Sequence, residues 1–110
     1  MNIVAWVLQV LVALAFLAAG GSKLASAPPM VAVFAKIGVG QWFRYVTGSL
    51  EIVGAIAVLI PRVRFYGASL LATIMIGAII AHLTLIGGNP TAPIILLVLS
   101  VTIAYLRRPQ

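Results

Sequence analysis

From Ile3 to Ala19 the chain carries one polar side chain, Gln9, in an otherwise apolar run. A helix needs about 20 residues to cross a hydrocarbon layer roughly 30 Å thick, so a run of this kind reads as a membrane span. Three more follow: about Val46 to Ile60, closed by Pro61 and Arg62; Phe65 to Ile86; and about Ala92 to Leu106, stopped by Arg107 and Arg108. Four crossings consume about 80 positions, which leaves no room in these 110 residues for a separate soluble domain. With 64% hydrophobic and 7% charged residues, the composition is not that of a soluble domain either. The expected fold class is an all-α, integral membrane four-helix transmembrane bundle over residues 1–110, with spans at about 3–20, 46–60, 65–86 and 92–106.

The first span is expected to stop at Gly20 and Gly21, because a glycine pair followed by a cation, Lys23, has the look of a helix end. Ala25, Ser26 and Ala27 imitate a signal-peptide cleavage site. Against that reading, the start lacks Lys and Arg, the apolar run is long and Pro28 would directly follow the cut. Between the first two spans, Met30, Val33, Phe34 and Ile37 recur at helical spacing in a segment (about 29–40) too short to cross. It reads as a short interfacial helix, with proline in its first turn and Gly38 at its end. The second and fourth spans are short, and flanking Arg and Tyr side chains can snorkel to compensate. Thr91 is placed to cap the last helix after the Gly87 to Pro90 turn.

The charge is lopsided: seven Lys plus Arg against one acid, Glu51, and one histidine, His82. The basic residues are scattered among apolar runs and form no contiguous face to track phosphates, so nucleic acid is not an expected partner. They read as orientation signal. Arg62, Arg64, Arg107 and Arg108 fall at the end that carries both termini, and Lys23, Lys36 and Arg44 at the other. Four against three favours both termini in the cytoplasm of a bacterial inner membrane, with Lys36 and Arg44 as interfacial anchors. Trp6, Phe65, Tyr66 and Tyr105 mark one interface, and Trp42 and Tyr45 the other. The chain has no cysteine, hence no disulfide, thiolate metal site or thiol redox centre of its own.

Counting depth along the spans puts Lys23, Glu51 and His82 in one leaflet. An ionisable side chain inside a membrane normally faces the bundle interior and finds a partner. Small residues flank both inner sites: Gly48 and Ala55 share a face with Glu51, Ala78 with His82, and Gly77 and Ala81 lie on an adjacent face. Ser22, Gln41, Thr47, Thr84 and Asn89 belong to the same half. The expected site is a polar pocket of Lys23, Glu51 and His82, linked to ligand binding or proton movement and capped by the interfacial segment. Plainer roles stand beside these. Glu51 and Lys23 can form a structural ion pair that fixes helix register, His82 can be a hydrogen-bonded packing residue, and Met75 is ordinary core filler. One His and one Glu are too few ligands for a zinc site, so no metal is expected. Gln9, in the other half, is expected to make an interhelical hydrogen bond.

These residues also resemble the DoxX family of small four-helix bacterial membrane proteins. The likeness lies in Ala19-Gly20 followed by Lys23-Leu24, and in Gly48-x-x-Glu51-x-x-Gly54-Ala55 with Leu59, Ile60 and Pro61 closing the span. Met75, Ala78 and His82, and a last helix ending in Arg107-Arg108, complete it. The resemblance implies a four-helix transmembrane bundle in which Gly20, Lys23, Gly48, Glu51 and His82 matter, with Gly54 in the same structural motif. It also implies association with membrane oxidoreductase assemblies and with thiosulfate and quinone chemistry. No cofactor motif is present, so a redox role would depend on a partner or on a bound quinone or lipid. The leading expectation is an accessory or assembly subunit of a membrane-associated oxidoreductase complex, with other membrane subunits or copies of itself as partners besides the bilayer. The alternative is binding of a small molecule or quinone-like lipid, or proton-coupled transport, through the Glu51 and His82 pocket. An enzyme using Glu51 and His82 as a proton-shuttling pair ranks last, because no nucleophile, metal or cofactor motif accompanies them.

Overall fold

The computed structural model describes residues 3–109 and contains, over that range, five α-helices and no strand. They are α1 (Ile3–Leu24), α2 (Pro28–Ile37), α3 (Trp42–Val58), α4 (Arg64–Ala81) and α5 (Thr91–Leu106), with a π-helical turn, His82–Ile86, continuing α4. The positions 1, 2 and 110 of the expected domain lie outside the described residues. Helices α1, α3, α4 and α5 close a ring in which α1 packs chiefly on α3, α3 on α4, and α4 on α5, while α5 returns to α1. Helix α2 lies across one end and packs on the π-helical turn, α3 and α1. The molecule measures 43 × 24 × 19 Å. Two helices are long and apolar enough to cross a membrane: α1, and α4 together with its π-helical continuation through Ile86.

The packing inverts the pattern of a soluble protein. Phe16, Val12, Leu71, Met75, Val58 and Ile103 form a narrow core, yet the completely buried residues include the polar Gln9 and Ser100, and Glu51 is 1% exposed. Meanwhile Leu14 is 60% and Leu83 70% exposed, in company with large apolar side chains on every long helix. A water-soluble monomer rarely presents so continuous an apolar surface.

Three local expectations change. Helix α1 does not stop at the glycine pair but continues to Leu24. Gly20 is instead a crossing point: a Cβ there would sit 2.7 Å from the Gly48 carbonyl oxygen and 2.8 Å from Ile52 Cγ1. Reciprocally, a Cβ on Gly48 would meet Lys23 Cβ at 2.9 Å and the Gly20 oxygen at 3.0 Å. Close backbone approach, rather than chain termination, is what these glycines provide. Gly54 plays a softer version of the role against the Leu71 side chain of α4.

Arg44 is not an interfacial anchor. It lies in the first turn of α3, is 3% exposed, and caps the end of α1 by donating from Nη1 to the Lys23 carbonyl. Nη1 also reaches Ser26 Oγ at 2.9 Å, Nε reaches Gln41 Oε1 at 2.9 Å, and the guanidinium lies 4.4 Å from the Tyr45 ring centroid. Gln41 in turn donates to the Val31 carbonyl of α2. A planar fork with several donors suits a site where one side chain must satisfy acceptors from three segments.

Thr91 is the first residue of α5 rather than its cap. Its N–H and hydroxyl both donate to Asn89 Oδ1, the former at 3.0 Å, so the asparagine supplies the capping acceptor. The end of α2 matches its sequence: Gly38 adopts a left-handed conformation, φ +82°, and donates its N–H to the Phe34 carbonyl.

Candidate functional site

The Gly20–Gly48 crossing determines where the charged side chains can stand. Gly48 leaves room for the Lys23 stem, and the Glu51 Cβ lies 3.4 Å from where a Gly20 Cβ would be. The two stems are thereby brought together across the helix interface, and Lys23 Nζ contacts Glu51 Oε1 at 2.7 Å. That oxygen takes no further hydrogen bond among the described residues. Because α3 begins at Trp42, Glu51 lies about 14 Å along the helix from its start, deeper than the sequence spans imply. Lys23, in the last turn of α1, has a side chain 12% exposed.

His82 begins the π-helical turn, and its Nδ1 is 2.9 Å from the Ala78 carbonyl oxygen. A carbonyl only accepts, so Nδ1 carries the proton in this bond, and in the neutral ring Nε2 is left with its lone pair. The π geometry is confined to this stretch of the helix, a distortion that recurs at functional sites.

Lys23, Glu51 and His82 all line one cavity of about 490 Å³. No direct bond joins Glu51 to His82 among the described residues; the cavity lies between helices and connects them. Its roof is the stripe of α2 read from the sequence, Met30, Val33, Phe34 and Ile37. Its walls come from α3, α4 and α5, with Thr47 and Asn89 as further polar groups and Gly77 opening on one side. A Cβ on Gly77 would touch nothing within 4 Å. The arrangement is a largely apolar chamber with a few polar groups in its wall. It offers an ammonium donor, a carboxylate and an imidazole acceptor.

Sequence reasoning missed Arg44, whose buried network holds the α1 end, α2 and the α3 start around the cavity. The available signal was the need of the last α1 carbonyls for a donor, with Gln41 spaced to orient the arginine. Gln9 stands apart from the site and makes the expected interhelical bond, donating from Nε2 to the Val58 carbonyl at 2.7 Å.

An apolar-surfaced ring of helices around a buried ion pair defines a helical protein of the membrane class. The chain belongs to the DoxX-like family, whose model matches residues 7–104. No curated protein and no solved structure matches it.

Proposed function

We propose that this DoxX-like membrane protein binds a small, mostly apolar ligand with an oxygen-bearing head, of the quinone or quinol kind, in the Lys23, Glu51 and His82 cavity. The carrying observation is the cavity itself. A chamber of about 490 Å³ has the size and the apolar lining of a small-molecule site, with an ammonium, a carboxylate and an imidazole among the groups that line it. A ligand hydroxyl can donate to His82 Nε2, and a ligand carbonyl can accept from the Lys23 hydrogens not directed at Glu51. A subunit held together only by its ion pair has no need of such a chamber. This consideration places the accessory-subunit reading second.

Gly77 supplies the test. Gly77→Leu puts a side chain at the cavity mouth without a Cβ clash and replaces glycine by a better helix former. In purified protein titrated with decylubiquinone and its quinol, the variant is expected to lose at least about tenfold in affinity while its unfolding midpoint holds or rises. Binding left intact by both Gly77→Leu and Glu51→Gln would remove the cavity from the function.

In this reading α1, α3, α4 with its π-helical turn, and α5 all cross a bacterial cytoplasmic membrane. Helices α3 and α5, at 17 and 16 residues, span about 25 Å, within reach of local thinning and snorkelling. The four-to-three arginine and lysine bias supports termini on the cytoplasmic side. Since the chain has no cysteine, single substitutions report orientation cleanly. In intact cells an impermeant maleimide is expected to label Ala35→Cys on α2 and to spare Val63→Cys before α4. The reverse pattern would invert the topology.

A further inference from the structure

Four arginines gather at the end of the bundle that carries the first residue of α1 and the last of α5, and the chain's only acidic side chain, Glu51, is in the other half. Arg62 and Arg108 are exposed there, but Arg64 and Arg107 fold back onto one indole. Their guanidinium carbons lie 5.9 and 5.5 Å from the Trp6 ring centroid. Arg107 is held in place: its Nε donates at 2.8 Å to Oε1 of the buried Gln9, which is itself tied to the Val58 carbonyl. Burial first, and the Arg64 charge second, pull Arg107 below the ordinary arginine pKa. Two like charges beside one ring at an end without a carboxylate side chain call for an anion from outside.

The surface next to them narrows the choice. On the outward side of α1 an open apolar strip begins at Ile3 and Trp6 and continues past Val7 and Val10 to Leu11. That stretch covers about 12 Å of helix, most of the depth of one hydrocarbon leaflet. We infer that Arg64 and Arg107 hold the phosphate of one anionic phospholipid, whose acyl chain lies along this strip beside Trp6. Guanidinium forks match phosphate oxygens, and the apolar strip beside Trp6 makes the source a lipid rather than free phosphate. Because Arg107 is joined through Gln9 to α3, the bound headgroup braces the meeting point of α1, α3 and α5.

The chain has two tryptophans, so Trp42→Phe leaves Trp6 as the only indole. In that background, phosphatidylglycerol brominated along its acyl chains is expected to quench Trp6 saturably, about tenfold more tightly than brominated phosphatidylcholine. Arg64→Gln is expected to abolish the preference and Arg62→Gln, an equal change in charge at an exposed position, to leave it. Native mass spectrometry of the unaltered chain provides a second reading, with one phosphatidylglycerol retained in preference to phosphatidylcholine. Equal quenching by the two lipids together with equal retention overturns the site. So does an equal effect of the Arg62 and Arg64 substitutions, which marks a diffuse field, or displacement of the lipid by equimolar inorganic phosphate, which marks a phosphate site.

Discussion

Replacing Glu51 alone by leucine is expected to destabilise the bundle by about 3–5 kcal/mol, because it strands the Lys23 ammonium in an interface shaped to pair it. The two groups contact at 2.7 Å with the carboxylate 1% exposed, and the close approach at Gly48 sets the Lys23 stem against α3. The double variant Lys23→Met/Glu51→Leu removes both charges at nearly constant volume and is expected to stand within about 2 kcal/mol of the original chain, or above it. Reversible unfolding in one detergent, followed by helical circular dichroism, measures all three proteins. The comparison separates two roles that a single substitution confuses. If the pair serves shape alone, the double variant keeps ligand binding as well as its fold. If the carboxylate and ammonium belong to the ligand site, the double variant is folded and does not bind. A Glu51→Leu chain as stable as the original would mean that Lys23 simply turns outward, and the pair would then hold nothing together.

The sequence carried the positions of the apolar runs, and with them the helices, because run length and charge placement are local properties. The roof of the cavity was legible for the same reason, since Met30, Val33, Phe34 and Ile37 share one face of a short helix. What the sequence obscured depended on distant partners. Gly20 and Gly21 look like a helix end by every local signal, and only the approach of Gly48 turns Gly20 into a crossing point within a continuing helix. Arg44 looks like an anchor because it precedes an apolar run, whereas its acceptors arrive from the end of α1, 21 residues earlier, and from Ser26. Arg107 likewise meets Gln9 across 98 residues. The ion pair could be anticipated by depth, since only two candidates lay near Glu51. A pocket of Lys23, Glu51 and His82 under the interfacial segment was expected on the same ground, but its size was not legible, because a cavity is what several packed surfaces fail to fill.

The crossing itself can be graded by placing one side chain, valine, at four glycines. Gly20→Val should be the most damaging, at about 3 kcal/mol or more, because its Cβ would meet a backbone oxygen at 2.7 Å that no rotamer change can move. Gly48→Val should follow closely, since it meets the Lys23 stem and the Gly20 oxygen. At Gly54 the obstacle is the Leu71 side chain, which can shift in part, so a loss of about 1–2 kcal/mol is expected. At Gly77 no neighbour stands within 4 Å, and the change should be close to neutral. Thermal unfolding midpoints of the four variants in one detergent give the order, and a tolerated Gly20→Val would refute the close crossing. Repeating Gly20→Val in the Lys23→Met/Glu51→Leu background then divides the penalty. A purely steric clash keeps its full cost without the charges, whereas any part that arises from pulling Lys23 away from Glu51 disappears with them. A smaller loss in the charge-free background is the expected result, because the glycines stand opposite the stems of the two charged residues and α1 cannot retreat from α3 without lengthening their 2.7 Å contact.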